Sequence, residues 1–438
     1  MQNQPLPDPP CVAYVAPELT AAAEAFVHQE LMAIEATGWR VVPFALRETL
    51  YPTREALGLA HRTVVLLQGG WLRQAFSGLW ACLQLGRSVL PALWWLLKDM
   101  QRLGLGRGRS RQQFWAALAA ARMAVQLRHQ PCQHIHAHFA HGPADVAMYA
   151  AAMLGLPFTF TGHAQDLFKH GELLPHKAAR ARALLTISHF NREWLEAQGV
   201  APDKIDVVRC TPDAGGPAVK AASPGRQGGV PGLRSRLRSG AYRIGTCGPL
   251  SERQGMDDVL RALALLIRSH CAPVKLLIAG EGPERLRLQV LADQLGIHRQ
   301  VEYVGHVPTH ALPQWLASLD LFVAAPKPDR QGDTDGIPVP LMEAMAAGLP
   351  CVATGLGGLP ELVLDGQTGY LAEPDNPASL ASQIDKAMSE PERARALGRA
   401  ARAHVRWEFG REVNVRRLLR HFGDAEDTRE NADIGQAA

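Results

Sequence analysis

The 438-residue sequence predicts an α/β protein with two Rossmann-like domains that face each other across a cleft. Three observations predict this fold. The chain is too long for one hydrophobic core and long enough for two domains of ordinary size. Short apolar segments alternate with helical segments, which is typical of a parallel sheet, and this alternation occurs twice. A stretch dense in glycine and proline separates the two series.

The first series predicts an N-terminal Rossmann-like domain over residues 1–210. Its predicted strands are 12–15, 40–46, 63–67, 134–139, 158–161, 184–188 and 205–208. A helix is predicted over 24–37, because Val27, Leu31 and Ile34 recur at helical spacing and Gly38 follows as a stop signal.

The second series follows a predicted linker over 211–240, whose glycines and prolines have little to bury. Residues 241–405 predict the second Rossmann-like domain. Its predicted strands are 243–247, 275–279, 301–304, 321–324 and 351–353, with a helix over 257–268. A basic helix over 406–422 is expected to cross back to the first domain, and the polar residues 423–438 predict a disordered tail.

Bulk composition indicates an ordinary globular protein, with 47% hydrophobic residues, 20% charged residues and a net charge of +4. The 7 cysteines form no CxxC pair, which argues against a disulfide or zinc framework and favours reduced thiols. The first ten residues have neither the basic region nor the apolar core of a signal peptide. The sequence therefore predicts a cytoplasmic protein.

Residues 71–128 combine aromatic and basic side chains, and Asp99 is their only acidic residue. Arg73, Arg87 and Pro91 interrupt the apolar part, so a membrane span is not expected. Two interpretations stay open. The segment is either a peripheral surface that contacts anionic lipid on the inner face of the cell membrane, or a pair of buried helices whose arginines extend to solvent.

The segment that begins at Asp335 is the most informative for function. Pro338 suits the first turn of a helix, and Gly336 allows a ligand to approach the backbone closely. Glu343 then lies about 7.5 Å along the helix axis. Two carboxylates would flank a helix N-terminus, which favours phosphate oxygens. The alternative is that Asp335 only caps the helix and Glu343 is a solvated surface residue.

Asp335-x7-Glu343, followed by Gly357-Gly358-Leu-Pro-Glu361, resembles family 4 of the retaining GT-B glycosyltransferases. The resemblance covers roughly residues 12–422. It implies that Asp335 holds the donor sugar, Glu343 holds the ribose, and the backbone near Gly336 and Ile337 contacts the sugar and its phosphate. The further donor-binding candidates are Gly282, Gly357, Gly358, Glu361 and Arg253.

The first half carries matching elements. His138 belongs to a His-Ala-His-Phe-Ala segment, and Thr161-Gly-His163-Ala-Gln-Asp166 is similar to the family's TxHxxD element. The resemblance implies that His163 is catalytic and contacts the transferred sugar. It implies that Asp166, together with His138, supports the loop that carries His163. Residues 1–210 would then be the acceptor domain and residues 241–405 the donor domain.

The resemblance implies transfer of a sugar from a nucleotide-diphosphate donor to a glycan or lipid-linked acceptor in surface polysaccharide biosynthesis, with retention of configuration. The resemblance also implies that no cofactor or metal is needed: the family stabilises the leaving diphosphate with a helix N-terminus and two basic side chains, and this electrostatic stabilisation should be the largest catalytic term. The family's basic pair is replaced here by Pro249 and Gln254, with Arg253 one position early. The alternative function is therefore a catalytically impaired homologue that acts as a binding or scaffold subunit.

Other functions fit the sequence less well. The alternating histidines at 134, 136 and 138 allow a metal site, but no carboxylate or cysteine is near them in sequence. Asp333-Thr-Asp335 resembles a metal-binding DxD motif, but it does not follow an apolar strand. Gly280-Glu-Gly282 lacks the third glycine of a dinucleotide fingerprint. No nucleic-acid-binding motif accompanies the basic residues, so no nucleic acid partner is expected.

Overall fold

The computed structural model describes residues 9–20, 25–49, 56–104, 108–163, 166–168, 171, 173–211, 240–269, 273–328 and 336–423. The chain divides into two compact units. The first unit comprises residues 1–210 and 411–438, and the second comprises residues 211–410. The predicted linker lies almost wholly outside the described residues, as does the predicted disordered tail.

The first unit contains a seven-stranded parallel sheet in the order β3-β2-β1-β4-β5-β6-β7. Its strands are β1 (Cys11–Ala16), β2 (Arg40–Ala45), β3 (Val64–Val65), β4 (His134–His138), β5 (Phe158–Gly162), β6 (Ala183–Thr186) and β7 (Ile205–Val207). Its helices up to this point are α1 (Ala25–Ala36), α2 (Leu57–Arg62), α3 (Trp71–Leu85), α4 (Leu90–Leu103), α5 (Gly108–Leu127), α6 (Gly142–Leu154), α7 (Leu174–Arg180) and α8 (His189–Ala197).

The second unit contains a six-stranded parallel sheet in the order β10-β9-β8-β11-β12-β13. Its strands are β8 (Tyr242–Cys247), β9 (Val274–Ala279), β10 (Val301–Gly305), β11 (Leu321–Ala324), β12 (Cys351–Thr354) and β13 (Tyr370–Ala372). Its helices are α9 (Met256–Ser269), α10 (Arg285–Gln294), α11 (Leu312–Leu316), α12 (Val339–Ala346), α13 (Leu359–Leu362), α14 (Pro377–Ser389) and α15 (Pro391–Glu408).

The last helix, α16 (Arg411–Leu419), belongs to the first unit and packs on α1. The Arg209 backbone N–H donates to Asn414 Oδ1 over 3.0 Å, which ties the end of the first segment to α16. Phe422, just beyond α16, is buried in the same cluster as Tyr14 of β1. The predicted domain boundary at 405 falls inside α15, and the two units divide between residues 410 and 411.

The two parallel sheets, each covered by helices, confirm the predicted fold class of two Rossmann-like domains. Predicted and observed strand ends differ by at most two residues. The predicted inward face of α1 is confirmed as well, since Val27, Leu31 and Ile34 are fully buried. Strand β13 was not predicted, because it has only three residues and follows a turn. Among the described residues, none of the helices has the length and apolar character needed to cross a bilayer.

Each sheet has a point at which the strand order reverses. In the first unit the chain leaves β1 toward β2 and β3, then continues from β4 on the other side. In the second unit the same reversal separates β8 from β11. Adjacent loops diverge at the carboxyl ends of such strands and leave a crevice, where ligands of open α/β sheets bind. A ligand site is therefore expected at each of these two crevices.

Candidate active site

The loops after β4 and β5 are joined by the carboxylate of Asp166, at the crevice of the first unit. Its Oδ2 accepts the backbone N–H of Ala140 over 2.6 Å, and its Oδ1 accepts the backbone N–H of His163 over 2.7 Å. The Ala140 carbonyl in turn accepts from the buried ammonium of Lys177 over 2.7 Å. The predicted supporting role of Asp166 thus has a geometric basis, since one side chain fixes both loops.

Phe139, the residue after β4, has a φ of 75°. This left-handed conformation is strained for a bulky residue and persists only where its surroundings impose it. Here the Phe139 N–H is held by the Thr161 carbonyl over 2.8 Å, and the next N–H is held by Asp166. Such strain is concentrated at functional sites, which supports a role for this edge of the sheet.

The imidazole of His163 lies among aromatic rings. Its centroid is 5.0 Å from that of Phe26, 5.0 Å from that of Phe139 and 5.6 Å from that of His138, on which it stacks. Neither ring nitrogen has a hydrogen-bond partner among the described residues. Burial, with a smaller contribution from His138, lowers the pKa of His163 to about 3. The ring is therefore neutral near pH 7 and retains one N–H donor and one acceptor nitrogen.

His138 is oriented by a carboxylate that is distant in sequence. Its Nε2 lies 2.8 Å from Glu30 Oε1, and the same oxygen accepts the hydroxyl of Tyr14. Burial, followed by the charge of Glu30, raises the pKa of Tyr14 well above its usual value. Glu30 was not among the site residues predicted from the sequence. Phe26 and Glu30 are one turn apart on α1, and that spacing is the signal that places both on the face toward the histidines.

Glu30, His136 and His138 offer ligand atoms that lie within 4.8 Å of one another, which is close enough for a metal ion. Protein groups already engage them. The two ring nitrogens of His136 lie 2.8 Å from Thr159 Oγ1 and 3.3 Å from Thr161 Oγ1. Burial lowers the pKa of His136 well below its usual value. The expectation that the site uses no metal stays a prediction.

In the second unit, α12 begins at the edge predicted for donor binding. Pro338 is the N-cap residue, with φ −67° and ψ 123°, and Pro340 occupies the first helical turn. The prediction that Pro338 lies within the first turn was therefore wrong, because two prolines two residues apart both suit a helix start. No side chain of the N-cap residue covers the first N–H groups. Gly336 and Ile337 precede this helix start, and both are partly buried.

Glu343 lies in the second turn of α12 and is partly buried. Burial, followed by the charge of Glu343, raises the pKa of the Cys247 thiol to about 12. Cys247 is the last residue of β8, so the carboxylate lies near the carboxyl end of the central strand, next to the crevice. Asp335 lies outside the described residues, as does Asp333, so the predicted spacing of the two acids stays a prediction.

The loop after β8 lies so close to the backbone of neighbouring loops that the points of closest approach require glycine. A Cβ on Gly280 would lie 1.9 Å from the Gly248 carbonyl oxygen, and one on Gly282 would lie 2.4 Å from that of Leu250. Gly255, with φ 61°, would place a Cβ 1.8 Å from the Ala325 carbonyl oxygen. Close approach of the protein's own backbone thus already requires glycine at 282, which was predicted as a donor contact.

The same loop carries the residues that replace the expected basic pair. Arg253 lies in a 3₁₀ turn, and its carbonyl accepts the N–H of Lys327 over 2.9 Å. The Lys327 ammonium is buried and paired with Asp257 at 3.0 Å and Asp258 at 2.9 Å. Gln254 lies against Gly248, with its Oε1 3.0 Å from the position of a Cβ there. The nearby lysine is thus neutralised by two carboxylates.

The remaining predicted residues belong to α13 and to the turn that leads into it. Gly357 has a φ of 55°, and Gly358 is the N-cap residue of the helix. Glu361 is partly buried in α13, and its carbonyl lies 3.0 Å from His404 Nε2 of α15. Gly357 allows the left-handed backbone of this turn, and the helix start lies next to β12, in the half of the sheet that also contains β11.

Two Rossmann-like units, each a parallel sheet covered by helices, are the architecture of the GT-B glycosyltransferases. Comparisons with known proteins agree. Residues 234–404 match the family described as "Glycosyl transferases group 1", and residues 90–214 match "Glycosyltransferase Family 4". The first match contains Glu343 and the second contains His163. The chain belongs to the family 4 glycosyltransferases of the GT-B fold.

Relatives with assigned names include a "Putative colanic acid biosynthesis glycosyltransferase WcaL" from Salmonella typhimurium, 30% identical over 225 residues. That match covers 51% of this chain and 50% of the relative, so the chain spans about half the length of this relative. A D-inositol 3-phosphate glycosyltransferase from Thermomonospora curvata is 26% identical over 339 residues, which cover 71% of this chain and 76% of the relative.

Solved structures share the fold over nearly the whole chain. A glycosyltransferase from Rickettsia africae gives a TM-score of 0.67 at 16% identity, covering 95% of this chain and 98% of the other. Anabaena Alr3699/HepE in complex with UDP and glucose gives a TM-score of 0.64 at 17% identity, covering 93% and 98%. At these identities the likeness concerns the fold.

Proposed function

We propose that this chain transfers a sugar from a nucleotide-diphosphate sugar to a glycan or lipid-linked acceptor in surface polysaccharide biosynthesis, with retention of configuration. The observation that carries the proposal is the placement of Glu343 in the second turn of α12, near the carboxyl end of β8, on a helix whose N-cap residue Pro338 provides no side-chain cap. A relative named for colanic acid biosynthesis and a structural neighbour that holds UDP and glucose support the chemistry.

In this proposal the donor diphosphate binds at the N-terminus of α12, where the positive end of the helix dipole stabilises the charge that builds up as the diphosphate leaves. Glu343 accepts hydroxyl groups of the ribose. Asp335 accepts hydroxyl groups of the donor sugar, and no nucleophile of the protein takes part.

His163 hydrogen-bonds the transferred sugar in its neutral form. A neutral imidazole can donate to one hydroxyl oxygen or accept from another without adding positive charge beside the forming oxocarbenium-like centre. Asp166 contributes indirectly, because it holds the His163 backbone and the strained turn at Phe139 in one arrangement.

The proposal is tested by thermal unfolding of the full chain with UDP, GDP and ADP sugars and with the free nucleotides. A ligand at about 100 times its Kd adds about 2.7 kcal/mol to the stability of the state that binds it. Stabilisation by one base class, followed by sugar transfer to a lipid-linked or glycan acceptor, is expected. A chain that none of these nucleotides stabilises contradicts the proposal.

The variant Glu343→Gln tests the proposed role of Glu343 in donor binding. Loss of the charged acceptor should weaken donor binding about tenfold or more, because hydrogen bonds to charged groups contribute about 1.5–3 kcal/mol. Glu302→Gln removes an exposed carboxylate of β10 in the same unit and serves as the control. Equal donor affinity of the two variants, measured by calorimetry, would remove Glu343 from the site.

Pro249 and Gln254 are the specific observation in favour of the second candidate function, a binding subunit without catalysis. Such a subunit would bind donor nucleotide yet neither transfer nor hydrolyse the sugar. Product analysis after prolonged incubation of donor with the full chain separates the two. Release of nucleoside diphosphate above the level of the Glu343→Gln variant identifies the enzyme.

A further inference from the structure

The outer face of α3 is apolar, although a solvent-facing helix surface is normally polar. Leu72, Phe76, Leu79 and Leu83 recur at i, i+4, i+7 and i+11, and all four side chains are exposed; those of Phe76 and Leu83 are each 74% exposed. The opposite face packs on α5, where a Cβ on Gly78 would lie 2.6 Å from the Cβ of Leu118. The helix therefore has one buried apolar face and a second apolar face that no described residue covers.

Helix α4 repeats the arrangement. Leu90, Leu93, Trp94 and Leu97 recur at i, i+3, i+4 and i+7, and all are exposed. The opposite side contributes Ala92 and Leu96 to the buried cluster that includes much of α5. Because both helices rest on α5, both outer faces are directed away from it. We refer to these eight exposed side chains of α3 and α4 as the α3–α4 surface.

The exposed charges of segment 71–128, which carries the α3–α4 surface, have one sign. The only acidic residue of segment 71–128 is Asp99, and it is fully buried. Its oxygens accept from both terminal nitrogens of Arg180, over 2.6 and 2.8 Å, and from the Tyr149 hydroxyl over 3.0 Å. Arg73 and Arg87 are exposed on α3 and on the turn that follows it. The ammonium of Lys98 lies 4.5 Å from the ring centroid of Trp94.

These observations correct one interpretation of the sequence: α3 and α4 are not a buried pair, since each leaves an apolar stripe exposed. Contiguous exposed apolar patches on soluble proteins mark interaction sites. Helices that bear Trp, Phe and Leu on one face with Lys and Arg beside them are typical of structures that lie in the interface of a bilayer.

We propose that the α3–α4 surface docks on an anionic lipid bilayer, with its apolar side chains inserted at the level of the acyl chain boundary and its arginines at the lipid phosphates. A second copy of the chain is a less suitable occupant. A two-fold interface would place the same cationic surfaces against each other, with no exposed carboxylate of this segment to pair with them. The proposal concerns binding alone and does not depend on sugar transfer.

Sedimentation of the full chain with vesicles tests this proposal. The wild type is expected to bind vesicles of equal parts phosphatidylcholine and phosphatidylglycerol, to bind phosphatidylcholine alone far less, and to dissociate as salt rises. The triple variant Phe76→Ser, Leu83→Ser, Trp94→Ser should lose about tenfold or more of its partition, because less apolar surface enters the bilayer. Equal binding of triple variant and wild type overturns the proposal.

A matched control replaces exposed apolar residues of the second unit, with the substitutions Leu286→Ser, Val290→Ser and Trp407→Ser. This control should bind vesicles as the wild type does. Arg73→Glu with Arg87→Glu, which leaves the apolar side chains intact, should bind mixed vesicles less tightly even if the triple variant fails to fold. Loss of binding in the control equal to that in the triple variant overturns the proposal.

Light scattering without lipid tests the other candidate occupant of the α3–α4 surface, a second copy of the chain. A monomeric wild type supports the bilayer. A wild-type dimer that the triple variant converts to a monomer, together with no vesicle binding, assigns the surface to a second copy and overturns the proposal. Because donor binding is measured without lipid, a failure of the chain to bind vesicles leaves the test of the proposed function unaffected.

Discussion

Asp166 is the residue on which the geometry of the first unit's crevice depends most directly. One carboxylate satisfies two backbone N–H groups from different loops, and both contacts are short. Both oxygens of a carboxyl group, ionised or protonated, carry acceptor lone pairs, whereas an amide side chain has a single acceptor oxygen and would leave one of these N–H groups facing an NH₂ group. Buried donors without a partner cost about 1–3 kcal/mol each.

Asp166→Asn should therefore lower the free energy of unfolding by about 1–3 kcal/mol at mildly acid pH. Its effect should also depend on pH. Burial raises the pKa of Asp166 from 3.8 to about 7, although backbone N–H groups, including those of Ala140 and His163, act in the opposite direction. The folded chain thus holds a proton that the unfolded chain has lost, and stability falls as pH rises from about 4 through 7.

Denaturant unfolding of the wild type and of Asp166→Asn between pH 5 and about 8 checks this expectation. The difference in unfolding free energy should be largest at the acid end and shrink toward pH 8, because only the wild type loses stability by ionisation at this position. A difference that grows with pH would mean that the folded protein prefers the carboxylate.

The positions of helices and strands can be predicted from the local sequence pattern, but the contacts between distant elements cannot. Strands of a parallel sheet are short buried apolar runs, and those runs are visible in the sequence, as at Leu321–Ala324. The predicted start of α12 was one residue too early, because Pro338 and Pro340 are both compatible with a first turn and the helix begins at Val339. The hydrogen bond between Glu30 and His138 spans 108 residues, so no local pattern could predict it.

The loop after β8 gives a prediction at the scale of elements. Gly255→Ala should destabilise the second unit by about 2–4 kcal/mol, because it combines a left-handed backbone cost with a clash against the Ala325 carbonyl. Gly296→Ala is the control, since its φ of 73° is also left-handed but nothing lies within 4 Å of the added Cβ. The control should cost only about 1–2 kcal/mol.

Thermal and denaturant unfolding of both variants measures the difference between their unfolding free energies. This difference reports the cost of the clash alone, because both variants share the left-handed backbone cost. Donor affinity should fall for Gly255→Ala more than for Gly296→Ala, since the former displaces a loop beside the crevice. Equal losses of stability in the two variants would show that the loop can move away from β11 at little cost.

The outer faces of α3 and α4 show why the sequence left two interpretations open. Apolar residues occur on both sides of each helix, and a helix that is apolar all round is normally buried. Only the tertiary structure reveals that α5 covers one side and leaves Phe76 and Trp94 exposed. Which face is covered depends on the neighbouring helix, which periodicity does not report.

At the scale of the whole molecule, the first unit is completed by residues from the far end of the chain. The ring of Phe422 lies 4.9 Å from that of His134 and 5.9 Å from that of Trp39, and the residue is buried. Phe422→Ala should therefore cost about 3–5 kcal/mol, all of it in the first unit. Trp407→Ala, at a residue of the second unit that is 75% exposed, is the control.

Hydrogen exchange of the full chain followed by peptide mass spectrometry tests this. Peptides of β1, α1 and β4 should lose protection in Phe422→Ala, whereas peptides of β8, β9 and β11 keep theirs. Equal loss across both units would mean that the two do not open independently.

The return of α16 to the first unit also determines the order in which the chain matures on the ribosome. Residues 211–410 are synthesised between the two parts of the first unit. At about 5–20 residues per second, roughly 10–40 seconds pass before the groove beside Tyr14 and Trp39 receives its last helix. The second unit, made from one continuous stretch, can finish first, while the unit that was begun earlier waits with an apolar groove accessible to chaperones.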